Sequence, residues 1–376
     1  MALARSLGKQ GVAVWLISND NPLPGWSRYV RRVLNWPGPA DEHAAAFLLE
    51  LAKSRNLDGF LLIPAGDAEV RFVSEKIDQL SAGFKVVLPA WDCLKWVCEK
   101  PLLYRRAAEL QLDIPPTYEF ASVQQAGQAE IRFPVILKPN MGGGGDEFSQ
   151  AKVVRADDQA SFLVAYKNAA EQIGLENVVV QELIPGGGES QFSYAALWSQ
   201  GKPVAEFTAR RTRQYPVDFG YTSTFVEVVE EPQAIDAARR ILGSIGHQGL
   251  VEIEFKRDTR DGKLRMLDVN PRPWSWFGLA AAAGVDLGAM LWAIASGEVV
   301  AAAPTAAEVS WMYLSRDAVS AGKLLLSGRL KLGAYLRSFA SVRAWATFAL
   351  GDVMPGLIDA PLAAWRVLTR RVLKIR

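Results

Sequence analysis

The segment 249–274, GLVEIEFKRDTRDGKLRMLDVNPRPW, constrains this chain more than any other stretch. Residues 250–256 alternate with period two, as a half-buried strand does. Leu250, Glu252 and Glu254 fall on one face and Val251, Ile253 and Phe255 on the other. Asp261-Gly262 supplies a turn signal, and a second strand over 263–269 puts Leu264, Met266, Asp268 and Asn270 on one face. Carboxylates on strands this apolar are costly unless paired or bound to a cation. Two carboxylates and an amide oxygen from among Glu252, Glu254, Asp268 and Asn270 make a hard oxygen set suited to Mg²⁺ carrying a nucleotide's phosphates; a solvated sheet face is the alternative. Asn270-Pro271-Arg272 ends the strand sharply. It leaves an arginine beside that set, where it can neutralise charge on a carboxyl or phosphoryl group.

Composition removes whole classes of function. The 376 residues, half of them apolar and 22% charged, are enough for two or three globular domains with large cores. Two cysteines, Cys93 and Cys98, do not make a disulfide framework and fit the reduced thiols of a cytoplasmic protein. Two histidines, His43 and His247, do not make a His-rich zinc site. No secretory signal is visible. The longest apolar run, 277–295, contains Asp286 and many Ala and Gly residues, which fits a buried helix pair better than a membrane span. The net charge of +2 is unevenly spread: residues 311–376 hold 11 Lys/Arg against 3 Asp/Glu, so the rest of the chain carries −6. No nucleic-acid partner is expected.

Read in order, residues 1–95 alternate between helix (2–10), strand ("VAVWLIS"), helix ("AAAFLLELAKSR"), strand ("DGFLLIPAGD"), helix and strand ("KVVLP"). That alternation predicts a parallel sheet covered by helices. The chain starts inside the first helix, so the strand that normally opens such a domain is expected to be missing. Residues 91–112 read as one or two helices, and Pro115-Pro116 forces an extended connector.

The run 133–154 is the second informative stretch. A strand ends in Lys138, four glycines follow at Gly142, Gly143, Gly144 and Gly145, and a strand is expected to resume at "AKVV". Glycines let backbone N–H groups approach an anion closely, and the lysine adds a fixed positive charge. This is neither a Walker A loop nor a dinucleotide fingerprint; by itself the run also fits a flexible hairpin. Further on, Arg210, Arg211 and Arg213 crowd one strand, with Arg211 and Arg213 on the same face. They suit either a solvated basic edge or a clamp for a substrate carboxylate or phosphate. The terminal segment "PLAAWRVLTRRVLKIR" is a basic amphipathic helix, with Trp365, Leu368, Val372 and Ile375 on one side and Arg366, Arg370 and Lys374 in a stripe. It fits peripheral contact with an anionic membrane or packing on its own domain.

An acidic residue on one strand followed by D-x-N-P-R on the next resembles the metal-binding end of the ATP-grasp superfamily. The nearest branches are the carboxylate-amine ligase and carbamoyl phosphate synthetase-like ones. The resemblance covers roughly residues 1–300 and implies an α/β chain. In it, a truncated Rossmann-like domain (1–95) precedes a two-lobed ATP-grasp module (96–300), and a basic, mostly helical extension (301–376) lies outside the resemblance. It implies that ATP is held by Lys100, Lys138 and the glycine loop 142–145, by the hinge Gln181, Glu182, Leu183 and Ile184, and by Glu189 at the ribose. It implies Mg²⁺, with Mn²⁺ as a substitute, on Glu254, Asp268 and Asn270, with Glu252 behind them. Arg211 and Arg213 become substrate contacts, and Arg272 and Lys138 catalytic groups. The implied reaction joins a small carboxylate to an amine through an acyl phosphate, releasing ADP and phosphate. A non-catalytic ATP-binding sensor or scaffold on the same fold is the alternative.

Overall fold

A computed structural model describes all residues except 20–21, 143, 218–221, 301–307 and 368–376. The chain divides into two compact units, one made of Met1–Asn56, Arg211–Val229 and Trp274–Arg376, the other of Leu57–Arg210 and Glu230–Pro273.

The second unit holds two antiparallel sheets. The smaller has strands Thr117–Tyr118, Val178–Glu182, Val135–Pro139 and Val154–Ala156 in that spatial order. Helix Gln159–Ile173 covers it, placing Phe162, Tyr166 and Ala169 against Val135, Leu137 and Val180. That helix starts sharply because Asp158 and Ser161 form a reciprocal cap. The larger sheet orders Leu264–Asn270, Gly249–Arg257, Gln191–Ser199 and Lys202–Tyr215. Its central strands are closed by apolar side chains: Tyr194, Ala195, Ala196, Leu197, Val251 and Ile253 are all fully buried. Helices Trp91–Cys98 and Lys100–Glu109 also belong here; the second begins with Pro101 in its first turn, where a missing N–H does no harm.

In the first unit, helix Ala2–Lys9 buries Arg5, whose Nε donates to Asp352 Oδ2 at 2.7 Å. Buried Ser27 donates to the same oxygen at 2.7 Å. The strand Lys202–Tyr215 enters this unit at Arg211. The order there continues through Thr222–Val228, Ser310–Met312 and Val342–Trp345, the last two parallel.

Three expectations change. Residues 1–95 do not form one parallel sheet among the described residues: Val14–Ile17 pairs with Val30–Leu34, and Phe60–Leu61 with Phe84–Lys85, as separate two-stranded parallel sheets. Pro64 and Pro89, which lack an N–H, stand just past the two shorter strands. The segment beyond 301 contributes two strands besides its helices. No strand directly follows the glycine loop, because a five-residue helix, Glu147–Ala151, intervenes, capped by Asp146, which accepts from Ser149 N at 2.7 Å. Of the terminal amphipathic helix, Met354–Val367 is described; Leu368, Arg370, Val372, Lys374 and Ile375, and the side chain of Arg366, lie outside the described residues.

Candidate active site

The site lies within the second unit and is organised by the pairing of its acidic hairpin. Glu252 stands opposite Asn270, and Glu254 opposite Asp268. The pairing then slips by one residue, so that Phe255 faces Met266 and Leu267 is left over as a bulge. Met266 therefore pairs with the apolar face of the first strand and is fully buried, not aligned with Asp268 as strict alternation predicts. The bulge leaves the Leu267 carbonyl to accept from the Tyr104 hydroxyl at 3.1 Å.

Four cations surround the acidic end. Lys100 Nζ is 3.1 Å from Asp268 Oδ2, and its side chain is 8% exposed. Asn140, two residues beyond Lys138, fixes Lys100 by accepting from its backbone N–H at 3.0 Å. Lys138 is buried, with Nζ 3.5 Å from the Tyr104 hydroxyl. Burial and the neighbouring Lys100 pull the Lys138 ammonium down to about 8, against the opposing pull of Asp268 and Glu254. Burial also weighs against charge on Arg272 and Asp67, yet their ion pair outweighs it: the arginine is held above its ordinary value and the carboxyl below its own. Lys152 adds to the positive field on Asp67.

The acidic groups are tied to one another through Asn270. Its Nδ2 donates to Glu252 Oε2 and Glu254 Oε1, each at 3.3 Å, and its Oδ1 accepts from Arg272 at 3.1 Å. Buried Glu252 also accepts from Ser193 at 2.9 Å, which suits a supporting role. Among the described residues no three His, Cys, Asp or Glu side chains come together as a metal cluster. The expected set needs only two carboxylates and an amide, and Glu254, Asp268 and Asn270 are all oxygen donors gathered at one strand end. In donor chemistry they fit a hard divalent cation.

The glycine loop is shaped by its neighbours. A Cβ on Gly142 would come within 2.5 Å of Asp67 Oδ2, and one on Gly144 within 2.5 Å of Ser149 Oγ. Gly145 has open space, and Gly143 lies outside the described residues. At the hinge, Glu182 N donates to Pro116 O at 3.0 Å and Leu183 N to Pro134 O at 2.9 Å. Ile184 is buried, and among the described residues neither its N–H nor its carbonyl makes a backbone hydrogen bond. Glu189 is exposed, with Oε1 accepting from Gly187 N at 3.1 Å.

Two expected contacts are corrected. The Gln181 side chain is fully buried and engaged at both ends, donating to Thr117 Oγ1 at 3.0 Å and accepting from Tyr104 at 3.3 Å, so it does not reach out to an exocyclic amine. Arg213, in the first unit, is no open clamp: its Nε and Nη2 donate to the two oxygens of fully buried Asp317, each at 2.9 Å. Arg211 is buried too, with Nε donating to Ser223 Oγ at 2.8 Å. Both lie on the strand they share, but enclosed rather than exposed.

Other groups at the site carry no motif. Asp67 sits at the start of helix Asp67–Glu75 in the loop "PAGD", 205 positions from Arg272, and reads as an ordinary helix-start acid. Tyr104 was hidden in a helix read only for its periodicity. Lys256 is buried among the charges of Glu189 and Asp258, which oppose the burial that lowers it; strand alternation puts it on the face of Glu252 and Glu254.

Residues 189–315 match a family described as ATP-grasp in the biosynthetic pathway with Ter operon. No curated relative matches the sequence. Among solved structures, the chain is similar to the biotin carboxylase domain of the Hydrogenobacter thermophilus 2-oxoglutarate carboxylase, a dimer bound to MgADP, ADP and bicarbonate. The TM-score is 0.63 at 16% identity, over 82% of this chain and 70% of that one. It is similar to the L-amino acid ligase of Bacillus licheniformis, with TM-score 0.60 and 17% identity over 79% and 71% of the two chains. The Campylobacter jejuni biotin carboxylase, in a β-γ-ATP complex, gives TM-score 0.62 and 15% identity over 80% and 69%. At such identities the likeness is one of fold. Residues 189–315 thus match an ATP-grasp family, and the chain as a whole shares the fold of these solved structures.

Proposed function

We propose that the protein is an ATP-dependent ligase that joins a small carboxylate to an amine or similar nucleophile through an acyl phosphate. The observation that carries the reading is the strand pairing of Glu254 with Asp268, with Lys100 on Asp268, Lys138 behind it and Arg272 at the strand end. Phosphoryl transfer needs positioning and charge neutralisation more than covalent chemistry, and this cluster supplies both. The solved structures of similar fold include the H. thermophilus domain in complex with MgADP and the C. jejuni biotin carboxylase in a β-γ-ATP complex.

In this reading Lys100, Lys138 and the loop 142–145 hold the phosphates. Ile184 meets the purine edge, and Glu189 accepts from ribose hydroxyls. Glu254, Asp268 and Asn270 would hold Mg²⁺, or Mn²⁺ in its place, which supplies charge neutralisation at the phosphates. The substrate carboxylate oxygen attacks the γ-phosphorus, and ADP leaves with the bridging oxygen. The nucleophile then attacks the acyl carbon, the carbon–oxygen bond to phosphate breaks, and the amine proton passes to solvent. Arg272 stabilises the oxyanion of that second step. Free thiols at Cys93 and Cys98 fit a reducing, cytoplasmic setting.

The test is phosphate release from ATP–Mg²⁺ against a panel of carboxylates paired with amines, with ¹⁸O transfer from carboxylate to phosphate as the report of the acyl intermediate. Cleavage to AMP and pyrophosphate removes the ligase reading. ATP binding that no carboxylate converts to turnover supports a sensor or scaffold instead.

A further inference from the structure

The region between Asp317 and Asp352 contains five Lys/Arg and no acidic residue. Its most exposed part is the corner where helix Leu314–Leu326 turns into helix Leu332–Ser338. Gly328, at φ +70°, turns the chain there, and the N–H groups of Arg329 and Leu330 close on the Leu324 carbonyl at 2.9 and 3.1 Å. The second helix buries none of its residues, yet it is held from one side. Ser338 accepts from Arg213 Nη2 at 3.2 Å, and the same guanidinium lies 5.3 Å from the centre of the Tyr335 ring.

Leu332 and Leu336, one turn apart, are 60% and 61% exposed, and Leu326 at the end of the first helix is 92% exposed. Lys323, Lys331 and Arg337 are exposed among them. A single exposed leucine means little. Three on a rigid corner, interleaved with cations and far from any acid in sequence, are a different matter. We propose that this corner is a docking surface for an anionic lipid bilayer. The leucines enter the acyl boundary while the lysine and arginine stems lie along it and keep their charges at the headgroups. A protein partner fits less well, since the centres of such interfaces are depleted in charge. A second copy of this chain in a two-fold contact would set the same cations against each other.

The full-length protein is tested by co-sedimentation with phosphatidylcholine vesicles, with and without a phosphatidylglycerol fraction. Binding to the anionic vesicles should exceed binding to the neutral ones by at least tenfold and weaken with salt, each basic residue contributing roughly fivefold. Leu332→Ser with Leu336→Ser, and separately Lys331→Glu with Arg337→Glu, should each reduce it about tenfold or more. These side chains are exposed, so circular dichroism and ATP cleavage should match the parent. Equal binding to both vesicles, or variants that bind as the parent does, overturns the proposal. Sedimentation velocity without vesicles gives the other overturning outcome: a parent dimer that either pair of substitutions dissociates would assign the corner to a second copy.

Discussion

The guanidinium of Arg272 is held by the carboxylate of Asp67, Nε donating to Oδ1 at 2.5 Å across 205 positions of sequence. The same arginine donates to Asn270 Oδ1, so Asp67 orients the group that ends the acidic strand. Arg272→Ala should lower turnover by roughly 10²-fold or more with little change in ATP affinity. Asp67→Asn should lower kcat by less, again without raising the KM for ATP, because it loosens Arg272 without removing it. If Asp67 acts through Arg272, the double variant is no worse than Arg272→Ala alone. Fully additive losses in kcat would show that Asp67 works independently.

Asp268 faces both Glu254 across the hairpin and Lys100 from the neighbouring helix. Asp268→Asn and Glu254→Gln should each abolish Mg²⁺-dependent turnover while the thermal unfolding profile stays cooperative. Titration of Mn²⁺ followed by electron paramagnetic resonance checks the assignment without relying on activity. Variants that bind Mn²⁺ with parental affinity would remove these residues from the metal site.

Lys138 has its ammonium pulled down to about 8 from an ordinary 10.5. In the protein without ATP its positive charge is lost as pH rises through about 8, so the ATP dissociation constant should climb above that pH. Lys138→Met should bind ATP weakly at every pH and lack that step. Stability has the opposite slope: between about 8 and 10.5 the unfolded chain holds the proton that the folded one has released. This group therefore makes the fold more stable as pH rises through that window. A pH series of ATP titrations by calorimetry measures the first effect and urea unfolding the second; an ATP affinity that stays flat from pH 7 to 9, a range of about one unit either side of that value, would contradict the assignment.

Arg213 and Asp317 are both buried and doubly hydrogen-bonded, and Thr224 donates to the same carboxylate at 2.8 Å. Removing one partner leaves an uncompensated buried charge. Asp317→Ala should therefore destabilise the protein by about 3–5 kcal/mol. Arg213→Lys cannot reproduce the two-pronged contact and should also destabilise, with the KM for the carboxylate unchanged. Loss of substrate affinity at unchanged stability would restore the clamp role.

Local signals were legible wherever the interaction that formed them was local. Alternation in 250–256, the Asp261-Gly262 turn and the Pro271 stop all act within a few residues, and they describe a hairpin whose register, with Glu254 opposite Asp268, the structure supplies. Asp146 capping its own short helix was equally local and was masked by the louder glycine run beside it. The bulge at Leu267 was not legible. It depends on which strand residues find partners elsewhere, here the Asp113 carbonyl that accepts from Met266 N at 2.9 Å and the Tyr104 hydroxyl on Leu267.

Residue type and order alone determined the chemistry available to this protein: hard oxygen donors at one strand end, a lysine before a glycine loop, and an arginine past a proline. Tertiary structure decided which charges are open and which are closed. The sequence presents Arg211 and Arg213 as a clamp and Arg272 as a charge beside the acidic set, each free to face a ligand. Folding encloses Arg213 on Asp317 and brings Arg272 to Asp67, because a buried guanidinium must find a carboxylate, and the carboxylates within reach are set by packing between segments far apart in the chain.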